Sequence, residues 1–284
     1  CPAFSGKRVE ILSFGVSGYG TAQELLMMRE RVFKYSPDLV LLLVTTNNDI
    51  TDNLREFKQS PIPYYTVGDG NQLQLDDSFR HERTFKVRNS WYSRLGVWLR
   101  NRIRFVQAYI ELHRALKYRY DAWRERQEDA ASQAAARRSE TFEAGVDSQI
   151  YREPADDSWR KAWDVTERLF SEMKTEVTAH GAKFGVIIGS NGVQVLPDKT
   201  VREYFTKRLG VPDLYYPNRR IASFCKANDI PVLDLAPELR EYVEKTGTAL
   251  HGFEGDNVGY GHWNQTGHKV VGETIGRHLC DLIR

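Results

Sequence analysis

Apolar residues along this chain fall into short continuous runs, separated by stretches with helical spacing. The run Leu39–Val44 contains no polar residue, which is typical of a parallel strand buried on both faces. Comparable runs at 184–188 and 230–235 predict two further strands. The β-branched and aromatic content of residues 8–14 predicts a fourth, ahead of the other three in the chain.

Helical patterns occupy the stretches between these runs. Thr21 is predicted to cap a helix, with Glu24 completing a capping box three residues later. Helices are also predicted at 157–180 and, as the closing element, at 265–283. This alternation predicts an α/β fold, a three-layer sandwich around a central parallel sheet.

A long insertion separates the second and third predicted strands. Residues 64–75 predict a hairpin, because the Asp-Gly and Gly-Asn pairs at its centre tolerate positive φ. A long amphipathic helix is predicted at 94–126, and 127–143 is predicted to be an exposed helix end or a linker. We therefore predict an α/β domain formed by 1–55 and 160–284, with an insertion at 56–159.

Composition and charge narrow the classes of partner. Forty basic and thirty-eight acidic side chains give a formal charge of +2, so no nucleic-acid partner is expected. No run reaches the roughly 18–20 apolar residues of a transmembrane helix, so no transmembrane segment is expected. The three cysteines are too scattered for a zinc site, and we predict neither a metal nor a cofactor.

The predicted long helix departs from this charge balance. Residues 94–126 contain nine basic and three acidic side chains. The pattern favours a solvated basic face over an apolar stripe packed against the domain. An anionic ligand, a membrane surface or a protein partner remains an alternative for this face.

Chemistry is suggested first by the turn Gly15-Val16-Ser17-Gly18-Tyr19-Gly20, which follows the predicted first strand. Its glycine spacing does not match the dinucleotide-binding pattern. A turn at the carboxyl end of a strand lies where open α/β sheets bind ligands. Gly18 could therefore offer its backbone amide to an oxyanion, or serve only to bend the chain.

Two further segments carry candidate polar groups. Asn48 follows a buried strand and can present its side-chain amide to an oxyanion, while Asp49 is predicted to hold the loop by a bond to its backbone. His262 lies in a glycine-rich loop ahead of a helix capped by Asn264, and a neutral imidazole there is suited to general-base catalysis. His268 falls inside that helix and is expected to pack locally.

Taken together, these segments resemble the SGNH, or GDSL-type, hydrolase superfamily. Gly15-Val16-Ser17-Gly18 is similar to its second block, Thr46-Asn47-Asn48-Asp49 to its third, and His262-Trp263-Asn264-Gln265-Thr266-Gly267 to its fifth. Their order and spacing agree over essentially the whole chain. The resemblance implies a flavodoxin-like sheet, with Gly18 and Asn48 as oxyanion donors and His262 as the base.

The chain departs from the family pattern at two positions. The first block, Gly-Asp-Ser, carries the nucleophile and would precede Gly18 by several tens of residues, but only seventeen residues do so. Ser5, Ser17 and Ser190 do not fit that position, so we expect the serine and its strand upstream of Cys1. The family's aspartate, three residues before the histidine, is replaced by Gly259. The acid could instead be Asp256 or Glu254, or a backbone carbonyl or a water could orient His262.

The resemblance implies a serine esterase that removes a short acyl group, such as acetyl from a carbohydrate, through an acyl-enzyme. Four aromatic residues could line a sugar cleft or pack in the core: Tyr19, Tyr64, Tyr65 and Trp263. The alternative is a catalytically idle module that binds a glycan or a partner through the same cleft and the basic insertion.

Overall fold

A computed structural model describes residues 4–68, 70, 72–127, 146–253 and 258–283. Its internal contacts divide the chain into two units. Residues 1–76 and 142–284 form the first, called the α/β unit below, and residues 77–141 form the second, called the helical unit. The predicted hairpin belongs to the α/β unit. Much of the predicted linker at 127–143 lies outside the described residues.

The α/β unit is built on a parallel sheet of three strands, as its apolar runs predicted. Along the chain the strands of the structure are β1 (Leu39–Val44), β2 (Tyr64–Val67), β3 (Leu73–Asp76), β4 (Lys183–Ile188) and β5 (Val232–Asp234). The order in the parallel sheet is β1-β4-β5, with Leu39 opposite Lys183 and Val186 opposite Val232. Strands β2 and β3 form the predicted antiparallel hairpin.

Ten α-helices lie within the described residues. They are α1 (Thr21–Glu30), α2 (Asn48–Thr51), α3 (Arg83–Arg88), α4 (Trp91–Arg102), α5 (Arg104–Gln127), α6 (Asp157–Ala179), α7 (Lys199–Leu209), α8 (Tyr216–Ala227), α9 (Ala236–Thr246) and α10 (Gln265–Leu282). Asn264 caps α10 by accepting a hydrogen bond from the Gly267 amide at 2.9 Å, as the sequence predicted. None of these helices is both long and apolar enough to cross a bilayer.

Helices pack on both faces of the sheet because successive strand residues point to opposite sides. Val186 and Ile188 of β4 belong to a buried apolar cluster that includes Leu25 of α1 and Trp163 of α6. Ile187, between them, belongs to a second cluster with residues of α9 and α10. The protein is therefore a mixed α/β structure with a buried parallel sheet.

The strand predicted at 8–14 is not formed. Residues 7–16 carry no regular secondary structure, and the side chains of Val9, Ile11 and Leu12 are 52%, 89% and 45% exposed. A strand needs a neighbour to satisfy its backbone groups, and no strand of the described residues pairs with this segment. On the side away from β4, β1 likewise has no paired strand among those residues.

The beginning of α1 also differs from the prediction. Gly20, rather than Thr21, occupies the N-cap position, and its amide donates to Gln23 Oε1 at 2.8 Å. Thr21 instead donates through Oγ1 to the Asp49 carbonyl at 2.8 Å. Glu24 is therefore not part of the cap, and its carboxylate lies in the interior.

The helical unit corrects two expectations about the insertion. The single helix predicted at 94–126 is divided into α4 and α5, with the break at Ile103. The apolar stripe was expected to be packed, but on α5 its residues are largely exposed: Phe105 is 82% and Tyr109 61% exposed. Sequence periodicity reveals a stripe on one side of a helix without revealing what covers it.

Candidate functional site

The loops after β1 and β4 meet at the carboxyl edge of the sheet. The Gly189 amide donates to the Val44 carbonyl at 2.8 Å, which continues the ladder beyond the last strand residues. Asn191 then donates through Nδ2 to Thr46 Oγ1 at 3.1 Å and to the Tyr151 hydroxyl at 3.0 Å. Each of these side chains is buried, so the two loops form one fixed surface.

Asn48 begins α2 on this surface and is half-buried. The residue after it, Asp49, accepts a hydrogen bond from the Thr45 amide at 2.6 Å, as predicted from the sequence. Asn53, fully buried one turn later, accepts from the Ala22 amide at 2.9 Å and donates to the Asp49 carbonyl at 2.5 Å. These hydrogen bonds of Asp49 and Asn53 therefore fix the backbone around Asn48 against its own loop and against α1.

The turn that contains Gly18 packs against the same short helix. Gly18 is exposed and has φ +81°, a left-handed conformation that glycine adopts without strain. Its carbonyl accepts from Lys58 Nζ at 3.3 Å, and Lys58 also pairs with Asp52, the residue that follows α2. A Cβ on Gly20 would lie 3.2 Å from the Asn48 carbonyl, so the turn and α2 approach each other closely. The structure thus brings the two predicted oxyanion donors to adjoining elements.

His262 lies in a loop that is fixed on both sides. Its carbonyl accepts from the Gly252 amide at 2.9 Å, and the Asn264 amide donates to the Leu250 carbonyl at 2.9 Å. The imidazole itself is exposed. The next residue, Trp263, would lie 3.7 Å from a Cβ on Gly189, which places this loop beside the β4 loop. Residues 254–257, which include the candidate acids Asp256 and Glu254, lie outside the described residues.

A buried serine and a second histidine lie close together beneath this surface. The sequence did not predict this contact. Ser190 Oγ is 3.0 Å from His251 Nε2, and His251 Nδ1 is 2.6 Å from the Gly261 carbonyl. Trp263 Nε1 also donates to Ser190 Oγ at 3.4 Å. These contacts have the form of a serine–histidine dyad oriented by a backbone carbonyl.

Burial argues against hydrolysis at this pair. Ser190 is only 7% and His251 only 3% exposed, so a substrate carbonyl cannot reach the hydroxyl without rearrangement of the loops. Burial also lowers the pKa of His251 to about 4, despite the opposing effect of its bond to Gly261. A general base works best with a pKa near the working pH. The pair instead holds the loop around His262, since both of its partners flank that residue. Ser190 and His251 are 61 positions apart in the sequence, so no local motif predicts their contact.

The four aromatic candidates for a cleft divide into two pairs. Tyr64 and Tyr65 are 1% and 3% exposed and belong to the interior, where the Tyr65 hydroxyl accepts from Arg29 at 2.8 Å. Tyr19 and Trp263 are half-buried and belong to the turn and the loop described above. Only the second pair remains available to a substrate.

Comparison of the chain with protein-family models, with curated proteins and with solved structures produced no match.

Proposed function

We propose that this chain is the main part of an SGNH-type serine esterase, with a flavodoxin-like three-layer fold. The observation that carries the proposal is the meeting of three sequence-distant segments at one sheet edge. The Gly18 turn packs on the helix that Asn48 begins, and the loop of His262 packs through Trp263 on the β4 loop. Oxyanion donors and an exposed imidazole at one sheet edge are elements that acyl transfer requires.

In the proposed reaction, His262 accepts the proton of a serine hydroxyl as its oxygen attacks the ester carbonyl. The Gly18 amide and the Asn48 side-chain amide donate to the oxyanion that forms. His262 then returns the proton to the departing alcohol, which leaves an acyl-enzyme. Water deprotonated by the same imidazole releases the carboxylic acid and restores the serine.

The nucleophile is proposed to lie on a strand outside residues 1–284, beside β1. Among the described residues no strand pairs with β1 on the side away from β4, which supports this placement. The sequence of β1, six consecutive apolar residues, is typical of an interior strand, whereas edge strands are usually protected by charge or proline. The segment at 8–14, whose Val9, Ile11 and Leu12 are exposed, would supply the strand on the far side of the inserted one.

The substrate class follows from the resemblance and from two aromatic residues. Short-acyl esters, such as acetylated carbohydrates, require little volume on the acyl side, and aromatic rings stack on sugar faces. Tyr19 and Trp263 are half-buried aromatic residues at this edge. The proposal that the substrate is a carbohydrate ester therefore depends on these two aromatic residues.

The test uses the natural full-length protein and a fluorophosphonate that labels activated serines, with turnover of nitrophenyl acetate in parallel. We expect the label on a serine outside residues 1–284, loss of turnover in His262→Ala, and a fall in kcat of about 10²–10³ in Asn48→Ala. His268→Ala, an exposed histidine on α10, is the matched control and should retain turnover.

Two results would overturn the proposal. Label on Ser190 would identify the buried pair as the catalytic one. Absence of both label and turnover in the natural protein would favour a binding module that retains the cleft without chemistry.

A further inference from the structure

An exposed apolar stripe runs along α5 in the helical unit. Its members recur at intervals of four, three, four and four residues, which places them on one side of the helix. Their exposed fractions are 82% for Phe105, 61% for Tyr109, 59% for Leu112, 56% for Leu116 and 58% for Tyr120. Apolar side chains exposed in such a regular row indicate a surface that binds a membrane or another molecule.

Helix α4 presents a similar row. Trp91, Leu95 and Trp98 recur at helical spacing and are 75%, 46% and 55% exposed. Arg102 continues the row one turn further on and ends the helix. Indole rings are costly to leave in water, yet two of them are exposed within eight residues.

Basic residues surround both rows. Residues 83–120 contain ten lysines and arginines against a single acid, Glu111, so the local formal charge is 10 − 1 = +9. That acid is paired with Arg114 at 2.8 Å. At 3.6 residues per turn, Arg104 lies roughly 100° to one side of Phe105 and Lys117 roughly 120° to the other. The α5 stripe is therefore flanked by cations on both sides.

We propose that the helical unit binds the surface of an anionic lipid bilayer through the α4 and α5 rows. An amphipathic helix lies in the interface with its apolar side below the headgroups and its basic flanks among the anionic ones. Tryptophan and tyrosine are the aromatic residues that prefer this boundary.

The charge favours lipid over the other occupants. Pairing this surface with a second copy would bring two +9 segments together, and like charges oppose that contact. A nucleic acid would neutralise the arginines, but phosphate contacts leave Leu112 and Leu116 without a role. An anionic bilayer accommodates both the cations and the apolar rows.

The test is co-sedimentation of the 284-residue chain with vesicles of phosphatidylcholine containing 30 mol% phosphatidylglycerol. We expect binding at low salt that weakens in 0.5 M NaCl and is nearly absent with pure phosphatidylcholine. Arg104→Gln with Lys117→Gln should weaken binding roughly 30-fold, at about fivefold per charge. Leu112→Ser with Leu116→Ser, both at exposed positions, should also weaken it without unfolding the chain.

The matched control is Tyr204→Ser with Lys207→Gln, an exposed aromatic–cation pair on α7, which should bind as the parent does. Equal binding to neutral vesicles, or unchanged binding in both helical-unit variants, would overturn the proposal. So would a dimer in sedimentation equilibrium that the Leu112/Leu116 variant dissociates, or binding of single-stranded RNA in place of vesicles.

Discussion

Ser190 Oγ lies 3.0 Å from His251 Nε2 in the interior beneath the candidate site. The other nitrogen of His251 is 2.6 Å from the carbonyl of Gly261, the residue before His262. The lowered pKa of His251 keeps its ring neutral near pH 7, so one nitrogen donates and the other accepts. Both contacts are hydrogen bonds when Nδ1–H donates to the Gly261 carbonyl and Nε2 accepts from the Ser190 hydroxyl.

This assignment predicts different outcomes for two amide substitutions. His251→Asn places an amide nitrogen near Nδ1 and keeps the donor to Gly261, whereas His251→Gln places it near Nε2. We expect urea unfolding to show His251→Asn as the more stable of the two. Ser190→Ala leaves Nε2 without its donor and should cost about 1–2 kcal/mol.

The Gly252 amide donates to the His262 carbonyl, so its hydrogen-exchange rate reports how stably the His262 loop is held. That amide should exchange faster in His251→Gln than in His251→Asn. If Ser190→Ala instead leaves stability unchanged and eliminates ester turnover, the pair is catalytic and the positioning role is wrong.

Gly267, in the first turn of α10, packs closely against the backbone of Leu250. A Cβ at this position would lie 2.2 Å from the Leu250 carbonyl oxygen, which is backbone and cannot rotate away. We expect Gly267→Ala to destabilise the chain by about 2–3 kcal/mol. Gly272→Ala, on the same helix with no atom within 4 Å, should be neutral or more stable by up to about 1 kcal/mol. Thermal unfolding of the two variants compares them, and equal midpoints would contradict the prediction.

Asn53 links three elements below Asn48. It accepts from Ala22 and donates to the Asp49 carbonyl and to Thr166 Oγ1 at 2.9 Å, and it is fully buried. Asn53→Ala leaves the buried Ala22 amide without an acceptor, so we expect a loss of about 3 kcal/mol in denaturant unfolding. Asn101→Ala, an exposed position on α4, should change stability by less than about 0.5 kcal/mol. A loss in Asn53→Ala no larger than in this control would show that the link is dispensable.

The sheet was predictable from sequence where burial on both faces left an uninterrupted apolar run. Strands β1 and β4 have this property, and both were predicted to within a residue or two of their ends. The segment at 8–14 has similar local character but forms no strand, because pairing depends on a neighbour and not on propensity. The same limitation applies to α5, whose periodicity revealed a stripe without revealing whether it is covered.

The candidate site was predictable where its residues follow strands or precede a capped helix. Asn48, Asp49 and His262 were located in this way, since the carboxyl ends of parallel strands meet at one edge. The pairing of Ser190 with His251 was not predictable, because it joins residues far apart in sequence through the interior. Gly20 as the cap of α1 was also missed, because Thr21 bonds to Asp49 instead of to its own helix.

The Glu24 carboxylate lies in the interior beside Asp49, and its Oε2 has no hydrogen-bond partner among the described residues. Burial, followed by the repulsion of Asp49, raises the pKa of Glu24 to about 9. Burial also raises the pKa of Asp49. The folded state therefore retains a proton that the unfolded chain releases above its ordinary pKa of 4.5.

This difference determines how stability depends on pH. Below pH 4.5 Glu24 is protonated in both states, and its contribution is fully present. As the pH rises from there towards 9, only the unfolded chain ionises, so stability falls by at most about 1.4 kcal/mol per pH unit. Glu24→Gln removes the part of the pH dependence that comes from Glu24, and we expect urea unfolding to show the variant as more stable than the parent at pH 8. Glu30→Gln, an exposed position on the same helix, should retain the parental slope. A Glu24→Gln curve parallel to that of the parent between pH 5 and 8 would mean that Glu24 is ionised in the folded protein.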